Sequence, residues 1–276
     1  MILLTGATGF VGRQVLQEVI NRSIECTVIC RDISKIDSNQ KKKINKIIIS
    51  KNIFTEDKEW WLNNLKDIDV IIHMAWFVEP GEYLESEKNL ECLIGSLNLA
   101  QAASERKISK FVGIGTCFEY YFNNSKIDIN RKLNPQNLYA SCKASLFNIL
   151  TQVFKNEIKF LWCRLFYLYG EGESEKRFYP YLKDKMENKK IADLSDGSQV
   201  RDFLDVKDAS RIIVEASLGN NTGPFNVCSG KEITLRNFAY QIADKYGQRS
   251  LLNFGARANN ALDPAYVVGI STDILS

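Results

Sequence analysis

The 276-residue chain has a single histidine, only five prolines and no apolar stretch of membrane-spanning length. Each scarcity excludes something. A bilayer helix needs ~20 uninterrupted apolar residues, whereas the opening MILLTGATGF is apolar for four residues and then turns glycine-rich. That pattern matches neither a signal peptide nor a transit sequence, so a cytoplasmic protein without membrane association is expected. One histidine, His73, cannot anchor a histidine-based metal site. The seven cysteines are odd in number and lack C-x-x-C spacing, so neither zinc nor a disulfide framework is indicated. Cys26, Cys30, Cys163 and Cys228 sit in apolar runs, where a reduced cysteine acts as a small hydrophobe. Charge of one sign is also missing. The 36 basic and 33 acidic side chains leave a net charge of +3, which makes no long-range field for a nucleic acid or an anionic membrane. Lys41–Lys43 is the one basic run and reads as a solvated loop. No repeat, low-complexity block or Pro/Ser/Gly-rich linker interrupts the chain.

What remains is 45% apolar residues, enough to bury a large core. Short β-branched runs (MILLTG, CTVICR, KIIIS, DVIIHMA, KFVGIGT, KFLWCRLF) alternate with helix-like stretches at 11–22, 86–106 and 137–155. That alternation predicts a parallel sheet covered on both faces, an α/β doubly wound, Rossmann-like fold. After about residue 170 the pattern loosens, with YPYLKDKMENKK as a helix and PFNVCSG as another strand. The expected organisation is a dinucleotide-binding part over 1–170, to which part of 200–230 returns, and a smaller lobe drawn mainly from 171–276.

LLTGATGFVGR places Gly6, Gly9 and Gly12 between the first strand and the first helix. Glycines let the backbone turn sharply and approach a pyrophosphate at the partly positive helix N-terminus. A dinucleotide site around Gly6, Thr8, Gly9, Phe10, Val11 and Gly12 is expected. Arg31 lies 19 residues beyond Gly12, at the end of the second strand. An acidic residue there reads the ribose 2′-hydroxyl of NAD, and an arginine pairs with the 2′-phosphate of NADP. Arg31 favours NADP; Asp32 beside it keeps NAD open. Later, NLYASCK puts Tyr139 and Lys143 four residues apart, on one face of a helix. Spacing alone does not make such a pair catalytic.

TGATGFVG, GIGTCFEYY and YASCK, in that order, resemble the extended short-chain dehydrogenase/reductase family, which acts mostly on nucleotide-activated sugars. CRLFYLYGEG, GSQVRDFLDVKDAS and FNVCSG resemble its substrate-side segments, so the likeness runs along nearly the whole chain. It implies that Tyr139 is the general acid or base, Lys143 its partner, and Thr116 the hydroxyl that bonds the substrate oxygen. A free tyrosine, with a pKa near ~10, is a poor base at neutral pH. A nearby ammonium is expected to lower it. The resemblance further implies that VIIHMAW brings His73, Met74 and Ala75 to the cofactor and Trp76 to the substrate. It puts Asn52 and Ile53 near the adenine, although the family commonly has an acidic residue at the first of these.

The same scaffold supports dehydration, epimerisation and keto-sugar reduction. A 4,6-dehydratase in this family carries an Asp-Glu pair after the active-site threonine. Cys117 and Phe118 occupy those positions here, and neither can shuttle the proton. Cys117 is instead expected against the substrate. Glu119 either enters the pocket to bind sugar hydroxyls or caps a turn. Arg201 resembles the family's diphosphate-binding arginine, and Arg177 is a second candidate or else an exposed residue at a helix start. Tyr167 stands where an asparagine often contacts the sugar phosphate. The resemblance therefore implies a homodimeric reductase of a nucleotide-linked 4-keto-6-deoxy sugar using NADPH, with an NAD-dependent epimerase and a non-catalytic NADP sensor as alternatives. Apolar residues of 86–106 and 137–155 (Leu93, Leu97, Leu99, Leu146, Ile149, Leu150, Val153) face either a dimer partner or the sheet.

Overall fold

A computed structural model describes residues 1–155, 157–260 and 263–275. Six short apolar runs form strands β1 (Ile2–Thr5), β2 (Cys26–Cys30), β3 (Lys46–Ile49), β4 (Val70–His73), β5 (Lys110–Thr116) and β6 (Lys159–Leu165). Between them lie helices α1 (Phe10–Asn21), α2 (Ser38–Lys41), α3 (Lys58–Asn64), α4 (Lys88–Glu105) and α5 (Leu138–Val153). Then come β7 (Tyr167–Tyr169), α6 (Phe178–Glu187), β8 (Ala192–Leu194), β9 (Val200–Arg201), β10 (Phe203–Asp205) and α7 (Val206–Leu218). The chain closes with β11 (Gly223–Val227), β12 (Ile233–Thr234), α8 (Leu235–Asp244), β13 (Leu252–Phe254) and β14 (Tyr266–Val267).

The main sheet has seven strands in the order β11-β6-β5-β4-β1-β2-β3, every pair parallel. Successive strand residues point to opposite faces, and both faces are covered. Leu4, Val28 and Ile72 pack with Val15 and Leu16 of α1 and Ile213 and Val214 of α7. Leu3, Ile29 and Ile71 pack with Trp61 of α3, Leu99 of α4 and Leu146 and Leu150 of α5. The helices form because their apolar residues recur at helical spacing; in α1 the buried positions are Gly12, Val15, Leu16, Val19 and Ile20. Side chains mark where several helices begin. Asp57 accepts from the amide of Trp60, Asn137 from that of Ala140, and Thr234 from that of Asn237.

Residues after β6 divide between two places. β11 extends the main sheet and α7 packs on α1. α6, α8 and β8 instead enclose a separate apolar cluster that includes Leu182, Met186, Leu194, Phe238 and Ile242. Among the described residues no helix is long and apolar enough to cross a membrane.

Candidate active site

The strand order reverses between β1 and β4, and at such a switch point the loops leaving neighbouring strands splay apart and open a crevice. A cleft of about 1040 Å³ lies there, between the ends of the main strands and the α6–α8 cluster. Its first wall is the turn from β1 into α1. Gly6 has φ +70°, and a Cβ on it would lie 2.6 Å from the amide nitrogen of Ala75; one on Gly12 would lie 2.0 Å from the carbonyl oxygen of Gly6. Only glycine permits that closeness. Gly9 caps α1 without a side chain, and Gly6, Thr8, Gly9, Phe10, Val11 and Gly12 all line the cleft. First-turn amides left without a side-chain cap suit a bound diphosphate, so these residues fit a dinucleotide.

The next wall comes from the ends of β2, β3 and β4. Arg31, Asn52 and Ile53 line the cleft. Asp32 does not line it: its carboxylate turns to Ser34, whose side chain first and amide second hold its pKa below the ordinary carboxylate value. Met74, Ala75 and Trp76 reach the cleft as well. His73 does not, which corrects its expected cofactor contact. It is 3% exposed, with Nδ1 2.8 Å from the Thr5 hydroxyl and Nε2 2.9 Å from the Ser96 hydroxyl. Because Ser96 donates its own proton to the Cys92 carbonyl, Nε2 is the protonated ring nitrogen and Thr5 donates to Nδ1. Burial pushes the imidazole down to about 3, with the charge of Lys143 adding to the effect. His73 thus ties Thr5 and the β4 end to α4, behind the wall it was expected to form.

Thr116, Tyr139 and Lys143 meet on the cleft floor. Thr116 ends β5, and its hydroxyl accepts from the Phe118 amide at 3.3 Å; it lies near enough to the Tyr139 hydroxyl to oppose the rise of that group's pKa. Tyr139 is 8% exposed, edge-on to Tyr83 at 4.9 Å between ring centroids, with its amide bonded to the Leu84 carbonyl. Burial pushes its hydroxyl well above the ordinary tyrosine value, and Tyr83 and Glu119 add to the rise. Lys143 Nζ donates to the Ile114 carbonyl at 2.6 Å and sits 3.8 Å from the Trp76 ring centroid. Burial brings its pKa down to about 7. The expected lowering belongs to Lys143 together with the positive nicotinamide of an oxidised cofactor; in the protein alone the lysine is turned to a carbonyl and an indole, and desolvation of the tyrosine outweighs it.

Glu119 is also a correction. It is fully buried and does not line the cleft. Its Oε1 accepts from the Thr116 amide at 2.8 Å, closing a capping box on the short turn at Cys117–Glu119, and its Oε2 lies 2.7 Å from Arg164 Nε. Trp162 Nε1 bonds both oxygens. Of the two alternatives for Glu119, the turn cap is realised, and no carboxylate oxygen is left for a sugar hydroxyl.

Cys117, Tyr167, Arg177 and Arg201 line the substrate side. Burial pushes the Cys117 thiol far up, so it is a neutral surface. Arg201 is 1% exposed; its Nη1 donates to the Val200 carbonyl, its Nη2 is 2.8 Å from Asp263 Oδ2, and its guanidinium lies 5.0 Å from the Tyr167 ring. Arg177 is exposed, N-caps α6 and is hydrogen-bonded to Tyr83. Sequence reasoning missed Tyr83, Asn89 and Asp263. Asn89 Oδ1 accepts from Trp76 Nε1 at 2.7 Å while its amide donates to the Tyr83 and Ser86 carbonyls, so it fixes the indole under which Lys143 lies. The only trace in the sequence was the aromatic content of FVEPGEY.

A glycine turn at the switch point of a parallel sheet, with Thr, Tyr and Lys gathered on the cleft floor, defines an oxidoreductase of the NAD(P)-dependent, short-chain type. The NAD dependent epimerase/dehydratase family matches residues 2–228, and the chain belongs to that family. Among curated proteins it is similar to dTDP-6-deoxy-L-talose 4-dehydrogenase (NAD(+)) of Aggregatibacter actinomycetemcomitans, 27% identical over 242 residues that cover 85% of this chain and 86% of the relative. It is also similar to CDP-abequose synthase of Salmonella typhimurium, 26% identical over 92% of this chain and 84% of that one. Among solved structures, UDP-N-acetylglucosamine 4-epimerase from Methanobrevibacter ruminantium M1, in complex with UDP-N-acetylmuramic acid, superposes with a TM-score of 0.87. At 20% identity over 98% of this chain and 89% of that one, it shares the fold.

Proposed function

We propose that this protein reduces the 4-keto group of a nucleotide-linked 4-keto-6-deoxy sugar, with NADPH as reductant and a dTDP-linked sugar giving dTDP-fucose as the leading case. The observation that carries this reading is Tyr139: a buried hydroxyl on the floor of the cleft that Thr116 and Lys143 also line. NADPH, when bound, supplies the hydride. As the substrate's C4 oxygen gains negative charge, Tyr139 gives it a proton, and a hydroxyl that resists ionising in the free protein is in the correct state to do so. Thr116, on the same cleft floor, shares the substrate oxygen. Lys143, in its protonated form, brings positive charge beneath the site, where little water screens it.

Arg31 lines the cleft and Asp32 does not, which supports NADP over NAD. The Aggregatibacter relative is named for NAD(+); its 4-dehydrogenase reaction on a dTDP-linked 6-deoxy sugar is the reverse of a 4-keto reduction. That kinship supports the carbon attacked, and Arg31 separates the cofactor. Arg201 is the diphosphate ligand in this reading, with Asp263 giving way to the incoming anion. A cytoplasmic setting fits the seven buried free cysteines, since thiols stay reduced there. The working unit is a homodimer paired through α4 and α5.

Tyr139→Phe tests the enzymatic role. Turnover of dTDP-4-keto-6-deoxyglucose should fall by about 10²–10⁴-fold, while NADPH affinity, measured by fluorescence titration, stays within about threefold. A variant that still turns over at the wild-type rate would remove Tyr139 from the chemistry.

A further inference from the structure

One polar group in the cleft wall has been given no role so far. Glu173 lies on the loop between β7 and α6, half-buried, and lines the cleft together with Ser174 and Arg177. Its Oε2 is closed off from solvent and meets no hydrogen-bond donor among the described residues. Burial pushes the carboxyl up to about 7, opposed by a bond to the Gly170 backbone and by the charge of Arg177. Gly170 and Gly172 both have positive φ, and Gly172 rests on Arg13 of the first turn of α1, so closely that a Cβ would lie 2.7 Å from Arg13 Nη1. Glu173 follows Gly172 in the chain and so lines the same cleft as the glycine turn, close to the start of α1.

A carboxyl oxygen closed off from water without a donor costs stability unless something supplies the missing bond. A phosphate does not, because it is anionic and carries no donor. A sugar hydroxyl does, since it meets a carboxylate as donor and a carboxylic acid as acceptor. We propose that Glu173 is a specificity-determining residue of this cleft, its free carboxyl oxygen bonding a hydroxyl of either the sugar or the cofactor's nicotinamide ribose. The inference rests on the cofactor and substrate reading above.

Glu173→Ala and Glu173→Gln, checked for folding by circular dichroism, are titrated with NADPH and assayed with dTDP-4-keto-6-deoxyglucose at saturating NADPH. The alanine variant is expected to raise either the NADPH Kd or the sugar-nucleotide KM by about tenfold or more, as loss of a bond to a charged group does. The glutamine variant, which still bonds a hydroxyl, should recover most of that loss. A change confined to KM assigns the hydroxyl to the sugar, and one confined to Kd assigns it to the ribose. An alanine variant within about twofold of wild type on both measures overturns the inference, as does a glutamine variant as impaired as alanine. Should the wild-type protein reduce no nucleotide sugar, the proposed function fails by itself; the NADPH titration alone then decides for Glu173, an unchanged Kd overturning it.

Discussion

Thr5 and Ser96 hold His73 as a neutral imidazole between β1 and α4, and protonation breaks the bond from Thr5. An unfolded histidine titrates near 6.5, whereas this one titrates near 3 in the fold, so between those values the unfolded chain binds one more proton. The stability this contributes is complete above pH 6.5 and is lost as pH falls towards 3, at up to about 1.4 kcal/mol per pH unit. Denaturant melts of wild type and His73→Gln across that range should differ in slope by one proton; parallel curves would refute the assignment. At this scale the sequence was legible where a residue's place follows from its element, as with the glycine turn and the Tyr139–Lys143 pair. It was not legible where a side chain had to choose between partners. Glu119 turns back to the Thr116 amide because Arg164 and Trp162 wait behind it, and both arrive from β6, over forty residues away in sequence.

The strands of the main sheet and the long helices α1, α4 and α5 could be read from the sequence because each carries its own signal, continuous apolar runs for buried strands and helical spacing for the helices, whereas α2 and α3, four and seven residues long, are too short to show a period. The short pairs β7–β10 and β8–β13 carry none: three residues a side are too few for a period, and their partners are set by the α6–α8 cluster. The α4 and α5 ambiguity is resolved position by position. Leu99, Leu146 and Leu150 are buried in the core and Leu93 and Leu97 pack partly against it, while Ile149 and Val153 are 39% and 37% exposed. Leu90 and Ile94, 46% and 60% exposed and one turn apart near the start of the neighbouring α4, are uncovered as well. Apolar residues at i and i+4 on two packed helices form a stripe suited to a second copy of the same pair. Ile94→Glu would place a charge in that seam and should weaken dimerisation by at least about a hundredfold, leaving the helical circular dichroism unchanged. Sedimentation would show it, and a wild-type monomer, or an Ile94→Glu dimer of wild-type strength, would contradict the α4–α5 pairing.

Across the whole molecule, near-neutral charge and a large core define a scaffold, and function gathers where loops from both ends of the chain close on the switch point. That convergence is why the cleft was only half legible. The cofactor side is drawn from the ends of successive strands, whereas the substrate side is drawn from segments as distant as Tyr83, Glu173 and Asp263, whose meeting only the fold determines. The central claim is one of direction and reductant: Arg31 open to the cofactor, Tyr139 holding a proton ready. The most direct test is the loss of absorbance at the reduced-nicotinamide band when the purified protein meets dTDP-4-keto-6-deoxyglucose with NADPH, and separately with NADH, the sugar product being identified by NMR. The account predicts stoichiometric NADPH oxidation, faster than with NADH, and a 4-hydroxy product. A preference for NADH would remove Arg31 from its role, and no net cofactor oxidation together with inversion of a 4-hydroxy nucleotide sugar would contradict reduction in favour of epimerisation.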